Sequence, residues 1–157
     1  MRKLIRLSLI LALFCIGELR GQDLPRINAI ICIDGEIVKK VYSPRLEVLD
    51  ENGLKRDIKF GYFPGNISID SNDYRLLKSK DNFSLIFSMQ VNDGGFQSYE
   101  LEAGKGWLNM DYIIVNIYNT DNKKYKNKFY PLPGQKYTYE LEYPGGQMLR
   151  PRKTRNR

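Results

Sequence analysis

Histidine is absent from all 157 residues. That absence excludes Ser-His-Asp and Cys-His nucleophile systems, the HExxH zinc site and histidine proton relays. Cysteine is nearly absent: Cys15 and Cys32 are the two thiols. A chain that loses its first residues keeps Cys32 alone, which excludes an internal disulfide and a thiolate zinc site. Neither a Walker A phosphate loop nor a GxGxxG after a strand occurs. Gly104-Lys105-Gly106-Trp107 is too short for one and lacks the following Ser/Thr and helix. Long apolar runs are also scarce. Residues 7–16 form a ten-residue stretch, against the roughly 20 that a bilayer-spanning helix needs, so no transmembrane span is expected.

That stretch has a different meaning. Arg2, Lys3 and Arg6 precede it and Gly21 follows it. A positive n-region, an apolar h-region and a small residue predict an export signal over residues 1–21, leaving Gln22 as the new N-terminus. Leu19 is larger than the ideal residue at its place, and Gly17, paired with Cys15, offers a rival cleavage point. Phe14 before Cys15 is too bulky for the processing that attaches lipid to a cysteine. The expected location is therefore exported: periplasmic, outer-membrane associated or secreted. What remains is long enough to bury roughly two-thirds of its unfolded surface without disulfides. Cys32, in Ala-Ile-Ile-Cys-Ile, reads as a small buried apolar residue, because no neighbouring cation favours its thiolate.

Charge is uneven. Twenty-five Lys and Arg face 18 Asp and Glu, a net of +7. Residues 22–149 hold sixteen basic and seventeen acidic side chains, so the excess sits at the two ends. The C-terminal excess is Arg150, Arg152, Lys153, Arg155 and Arg157, with no apolar residue after Leu149. This composition predicts a disordered basic tail over 150–157. Each cation near an anionic surface contributes about 1 kcal/mol, so the tail is expected to give weak, salt-sensitive contact with anionic lipid or lipopolysaccharide. Nucleic acid is not expected, since no basic–aromatic platform accompanies the tail. Lys123, Lys124, Lys126 and Lys128 form a second cluster, read as a solvated hairpin end or a guarded edge strand.

Between the ends the hydrophobic period is two. Residues 83–91 place Phe83, Leu85, Phe87, Met89 and Val91 on one face, and residues 111–118 do the same with Ile113, Val115 and Ile117. Similar segments fall at 26–33, 36–43 (stopping at Pro44), 45–49, 54–63, 96–102, 124–130 and 136–143. Turn chemistry separates them at Asp34-Gly35, residues 50–53, Pro64-Gly65 and residues 92–95. Residues 71–80 alone suggest a short helical turn or loop. The expectation is an all-β fold: a single β-sandwich, immunoglobulin-like or jelly-roll-like, of about eight or nine short strands over 22–149.

Carboxylates are the chemistry left. Glu100/Glu102 and Glu140/Glu142 are i,i+2 pairs on one strand face, and with Asp111 they match glycoside hydrolysis by residue type. Solvated strand faces explain them more simply. Residues 70–73 and 119–122 offer oxygen ligands but not EF-hand spacing, and read as turns. No cofactor and no metal is expected. Three corners, at 62–65, 130–134 and 143–146, join an aromatic to Pro and Gly. They read as strand-ending turns. Gathered at one end, Tyr62, Tyr130, Tyr143 and Trp107 would form an aromatic rim for a sugar or peptide. The functional expectation is an exported, non-catalytic binding or assembly subunit that engages a protein partner at the bacterial cell envelope. The alternative is a carbohydrate-binding module or a histidine-free carbohydrate-active enzyme.

Overall fold

The computed structural model describes residues 24–91 and 94–153. The expected export signal over 1–21, Asn92 and Asp93 of the predicted turn, and Arg155 and Arg157 lie outside the described residues. Within them the chain is mostly β, with twelve strands, one short helix and a 3₁₀ turn. The strands are β1 (Arg26–Ile27), β2 (Ala29–Ile33), β3 (Glu36–Ile37), β4 (Tyr42–Leu49), β5 (Lys55–Lys59), β6 (Gly61–Phe63), β7 (Asn66–Ser68), β8 (Asn82–Gln90), β9 (Phe96–Gly104), β10 (Ile113–Asn119), β11 (Tyr137–Tyr143) and β12 (Gly146–Met148). Helix α1 spans Ser71–Lys78 and the 3₁₀ turn Lys105–Asn109. Three sheets result, ordered β5-β4-β8-β9, β12-β11-β10-β2-β3 and β1-β7-β6. All pairs are antiparallel except β2 with β10.

The alternation sorts the side chains. Leu46, Val48, Ile58, Phe83, Leu85, Phe87, Tyr99 and Leu101 of the four-stranded sheet are buried. Ala29, Ile31, Ile113, Val115, Ile117, Tyr137, Tyr139 and Leu141 of the five-stranded sheet join them in one apolar cluster. Each large apolar side chain so buried is favourable by roughly 1.5–3 kcal/mol. The Asp34-Gly35 loop between β2 and β3 has two positive φ angles, 55° and 93°, as a two-residue hairpin requires.

Three expected elements differ, and a fourth, residues 71–80, takes the helical of its two expected forms. The chain does not stop pairing at Pro44: β4 runs through it, with a register shift between Tyr42 and Arg45 and Ser43 at φ 48°. A bulge takes the prolyl nitrogen, which has no N–H, out of the ladder. The stretch 54–63 divides between two sheets, since Phe60 separates β5 from β6. Residues 71–80 hold the helix α1, capped by Asp70, whose side chain accepts from the Asn72 N–H at 2.8 Å. Residues 124–130 are not a strand. Asn122 accepts the Lys124 N–H on its side chain and the Tyr125 and Lys126 N–H groups on its carbonyl, each at 2.9 Å. These bonds curl the chain into turns, so Tyr125 and Phe129, four apart, bury together while the lysines between them face outward.

One edge is closed by side chains. β9 ends the four-stranded sheet, and its outer backbone groups meet tyrosines of β11. The Tyr137 hydroxyl accepts from the Glu100 N–H at 2.6 Å and donates to the Glu100 carbonyl at 2.9 Å. The Tyr139 hydroxyl accepts from the Glu102 N–H at 3.2 Å. The opposite edge, β5, is protected by charge through Lys55, Arg56, Asp57 and Lys59. Tyr137→Phe leaves two backbone groups of Glu100 unmatched and should lower stability by about 1–3 kcal/mol in urea unfolding. The exposed Tyr112→Phe should change it by less than about 0.5 kcal/mol.

Candidate functional site

The parallel pairing of β2 with β10 sets the Asp34 turn beside the end of β10. There Asp34 gathers a polar network. Its Oδ1 accepts from the Asn119 N–H at 2.9 Å. Its Oδ2 accepts from Nδ2 of Asn119 and of Asn122, at 3.1 and 3.0 Å. The Tyr125 hydroxyl donates to the Asp34 carbonyl at 3.1 Å. Asn119 Oδ1 in turn accepts from Gln97 Nε2 at 2.9 Å and the Tyr99 hydroxyl at 3.0 Å. The network therefore ties β9 of one sheet to β10 and β2 of the other. Burial pushes Tyr99 up to about 12, with the bond to Asn119 opposing.

Beside this network lies an open cleft of about 560 Å³. Ile33, Ile37 and Val38 of the β2–β3 hairpin form one wall, Met89 and Val91 at the end of β8 the other, and Tyr99 its inner end. Lys39 and Lys40 stand on the rim, both exposed. Lys40 Nζ lies 4.9 Å from the ring centre of Tyr42, which packs edge-on against Phe96 at 5.1 Å. Ile37 remains 54 % exposed. Glu36 also lines it, so its mouth carries two cations and one acid; a cavity of this size, apolar inside, suits an apolar side chain with a polar or acidic neighbour.

A second cluster covers the outer face of β10 and β11. Glu140, expected on a solvated face, is 4 % exposed. Its Oε1 accepts from the Arg150 N–H at 3.1 Å and its Oε2 from Arg152 Nη2 at 3.0 Å. The Arg152 guanidinium sits 4.1 Å from the ring centre of Phe129, and Phe129 stacks on Tyr118 at 4.4 Å. Burial first, then the Glu140 charge, pushes Tyr118 up to about 12. Residues 150–153, expected within a disordered tail, are instead held on the body. Their backbone pairs with the turn segment at Phe129, because the Glu140 carboxylate beneath requires a cation.

The other predicted positions scatter. Trp107, on the 3₁₀ turn, is buried at 6 % exposed, so it contributes to no rim. Tyr62 is half-buried, its hydroxyl accepting from the Ile31 N–H at 3.1 Å and donating to the Val38 carbonyl at 3.0 Å. Tyr143 packs over Gly146, where a Cβ would meet its ring at 2.9 Å. Tyr130 is exposed, beside Lys153. Glu100 and Glu102 are exposed, and Glu142 accepts from Asn116 Nδ2 at 2.8 Å. Of the two oxygen-rich turns, Asp70 caps α1 and Asn119 and Asn122 hold Asp34. Burial, then Glu142, raises the Cys32 thiol, which disfavours its thiolate. Among the described residues no cluster of three or more His, Cys, Asp or Glu is placed to hold a metal, and no helix is long and apolar enough to cross a membrane. The cleft and the Asp34 network escaped the sequence reading. The one local signal was the Asp34-Gly35 turn.

Set against protein-family models, curated proteins and solved structures, this chain matches none.

Arg152→Ala should lower stability by about 2 kcal/mol, since it strips a charged hydrogen bond from buried Glu140. The double variant Arg152→Met with Glu140→Leu should recover most of that loss in the same urea titration. Alkaline pH acts on Tyr99 and Tyr118. Their unfolded forms ionise near 10 and their folded forms at about 12. Their contribution is thus complete below about pH 10 and is lost as pH rises through about 12. Thermal unfolding across that window should show a steadily falling Tm.

Proposed function

We propose that this protein is an exported, non-catalytic β-sandwich, immunoglobulin-like or jelly-roll-like, that serves as a binding or assembly subunit at the cell envelope. The shared apolar cluster of the two larger sheets supports the sandwich reading, and the n- and h-region pattern of residues 1–21 supports export. The observation that carries the binding role is the cleft between Ile33, Ile37 and Val38 and Met89 and Val91. Its walls leave apolar surface in water, and Lys39 and Lys40 against Glu36 leave one net positive charge at the mouth. The occupant that fits is a segment of a partner protein that offers an apolar side chain flanked by Asp or Glu. The buried Trp107 leaves the carbohydrate rim without its largest ring, which weighs against sugar recognition.

A photoreactive residue placed at Lys39 tests the reading in intact envelopes. The expected result is one discrete protein adduct that disappears when Ile37→Asp or Val91→Asp is added, with the unfolding midpoint unchanged. An adduct indifferent to both substitutions, or no adduct, contradicts it.

A further inference from the structure

We propose that the turn segment 120–136 and residues 150–153 form a single cationic face that binds the anionic headgroups of a phospholipid surface. In the sequence these are two separate basic clusters. In the fold they touch. The Lys153 N–H donates to the Lys128 carbonyl at 2.9 Å, and Lys153 Nζ donates to the Lys126 carbonyl at 2.8 Å. Arg152 pairs through its backbone with Phe129. The basic chain end therefore starts on top of the lysine cluster, and Arg155 and Arg157 follow two and four residues later.

Lys123, Lys124, Lys126 and Lys128 of this face are exposed to solvent, with Asp34 and Glu36 near Lys124. Segment 120–136 contains five lysines and one acid, Asp121, which lies 3.7 Å from Lys136. Glu140 beneath the face is matched by Arg152, so that arginine acts as the clamp and the lysines as the contact. Outside this segment, residues 22–149 hold eleven basic and sixteen acidic side chains. The molecule is consequently polarised, with its net positive charge on this side and a net negative charge over the rest of 22–149, and a charged surface would orient it before contact.

The chemistry favours lipid over nucleic acid. Lysine ammonium groups are compact point charges rather than planar forks. They stand above rings that are turned inward: Lys124 and Lys128 Nζ lie 5.0 and 5.9 Å from the Tyr125 ring centre, and Tyr125 and Phe129 are buried. Bases would find no stacking platform there. Tyr130 is the exposed ring, at 57 %, with Lys153 Nζ 5.4 Å from its centre. A single amphipathic tyrosine framed by lysines suits the headgroup layer, where one end of the ring is apolar and the other wet. This face is separate from the cleft, and neither reading depends on the other.

Flotation of the full chain with vesicles is the test, comparing pure phosphatidylcholine with phosphatidylcholine containing phosphatidylglycerol. Residues 1–21 carry Arg2, Lys3, Arg6 and Arg20 and are common to every variant, so the difference between the parent and the lysine variants on anionic vesicles reports the face. The expected result is binding to the anionic vesicles that weakens as salt rises. The triple variant Lys124→Gln, Lys126→Gln, Lys128→Gln should weaken it about a hundredfold, roughly fivefold per charge. Lys39→Gln with Lys40→Gln, at the cleft, should leave it unchanged. An unchanged unfolding midpoint in the triple variant shows that the loss is of binding and not of fold. The proposal is overturned if the lysine triple binds like the parent while Arg155→Gln with Arg157→Gln abolishes binding, because the chain end then acts alone. It is also overturned if neutral and anionic vesicles bind equally, or if duplex DNA is retained and vesicles are not.

Discussion

Three backbone groups at the edge of β9 set the terms for the rest of this structure. An edge strand carries a row of N–H and C=O groups that water or another strand must satisfy. Here the outer groups of Glu100 and Glu102 are part-buried and face Tyr137 and Tyr139 of the neighbouring sheet. Left unmatched, each would cost about 1–3 kcal/mol. Tyr137 and Tyr139 remove that penalty by delivering hydroxyls from β11 while burying their rings in the shared core. The same two residues thus supply apolar area and polar closure, and they fix the distance between the two larger sheets.

The ends of the molecule follow from that closure. With β9 held against β11, Gln97 and Tyr99 reach Asn119, and Asn119 reaches Asp34. The network pins one end of the sheet pair and leaves the neighbouring space between β3 and β8 as a cleft. On the outer side of β11, Glu140 recruits Arg150 and Arg152 and so folds the chain end back onto the lysine-bearing turns. An apolar cleft and a cationic face are therefore both consequences of how β11 is used, one through its inward tyrosines and one through its outward glutamate.

Much of this was legible in the sequence where a residue's role is set by its near neighbours. Phe83, Leu85 and Phe87 alternate with Ser84, Ile86 and Ser88, so their strand and its buried face could be read directly. Asp34-Gly35 announced its turn because two consecutive positive φ angles favour that pair. The rest depended on partners far along the chain. Glu140 looks solvated beside Glu142 until Arg152 and the turn at Phe129 cover it. Pro44 looks like a strand end until the bulge at Ser43 takes it out of the ladder. Tyr125 and Phe129 sit in a period of four, but the surrounding lysines and a tyrosine-rich composition suggested a strand. Trp107 looked available for a rim and is part of the core instead.

The claim that tyrosine hydroxyls close the β9 edge can be measured amide by amide. Hydrogen exchange followed by NMR at neutral pH should show the Glu100 and Glu102 N–H groups protected to the level of the paired β8 amides, and Tyr137→Phe should release Glu100 selectively. Exchange of those two amides at the rate of an open strand edge, in the unsubstituted protein, would contradict the account.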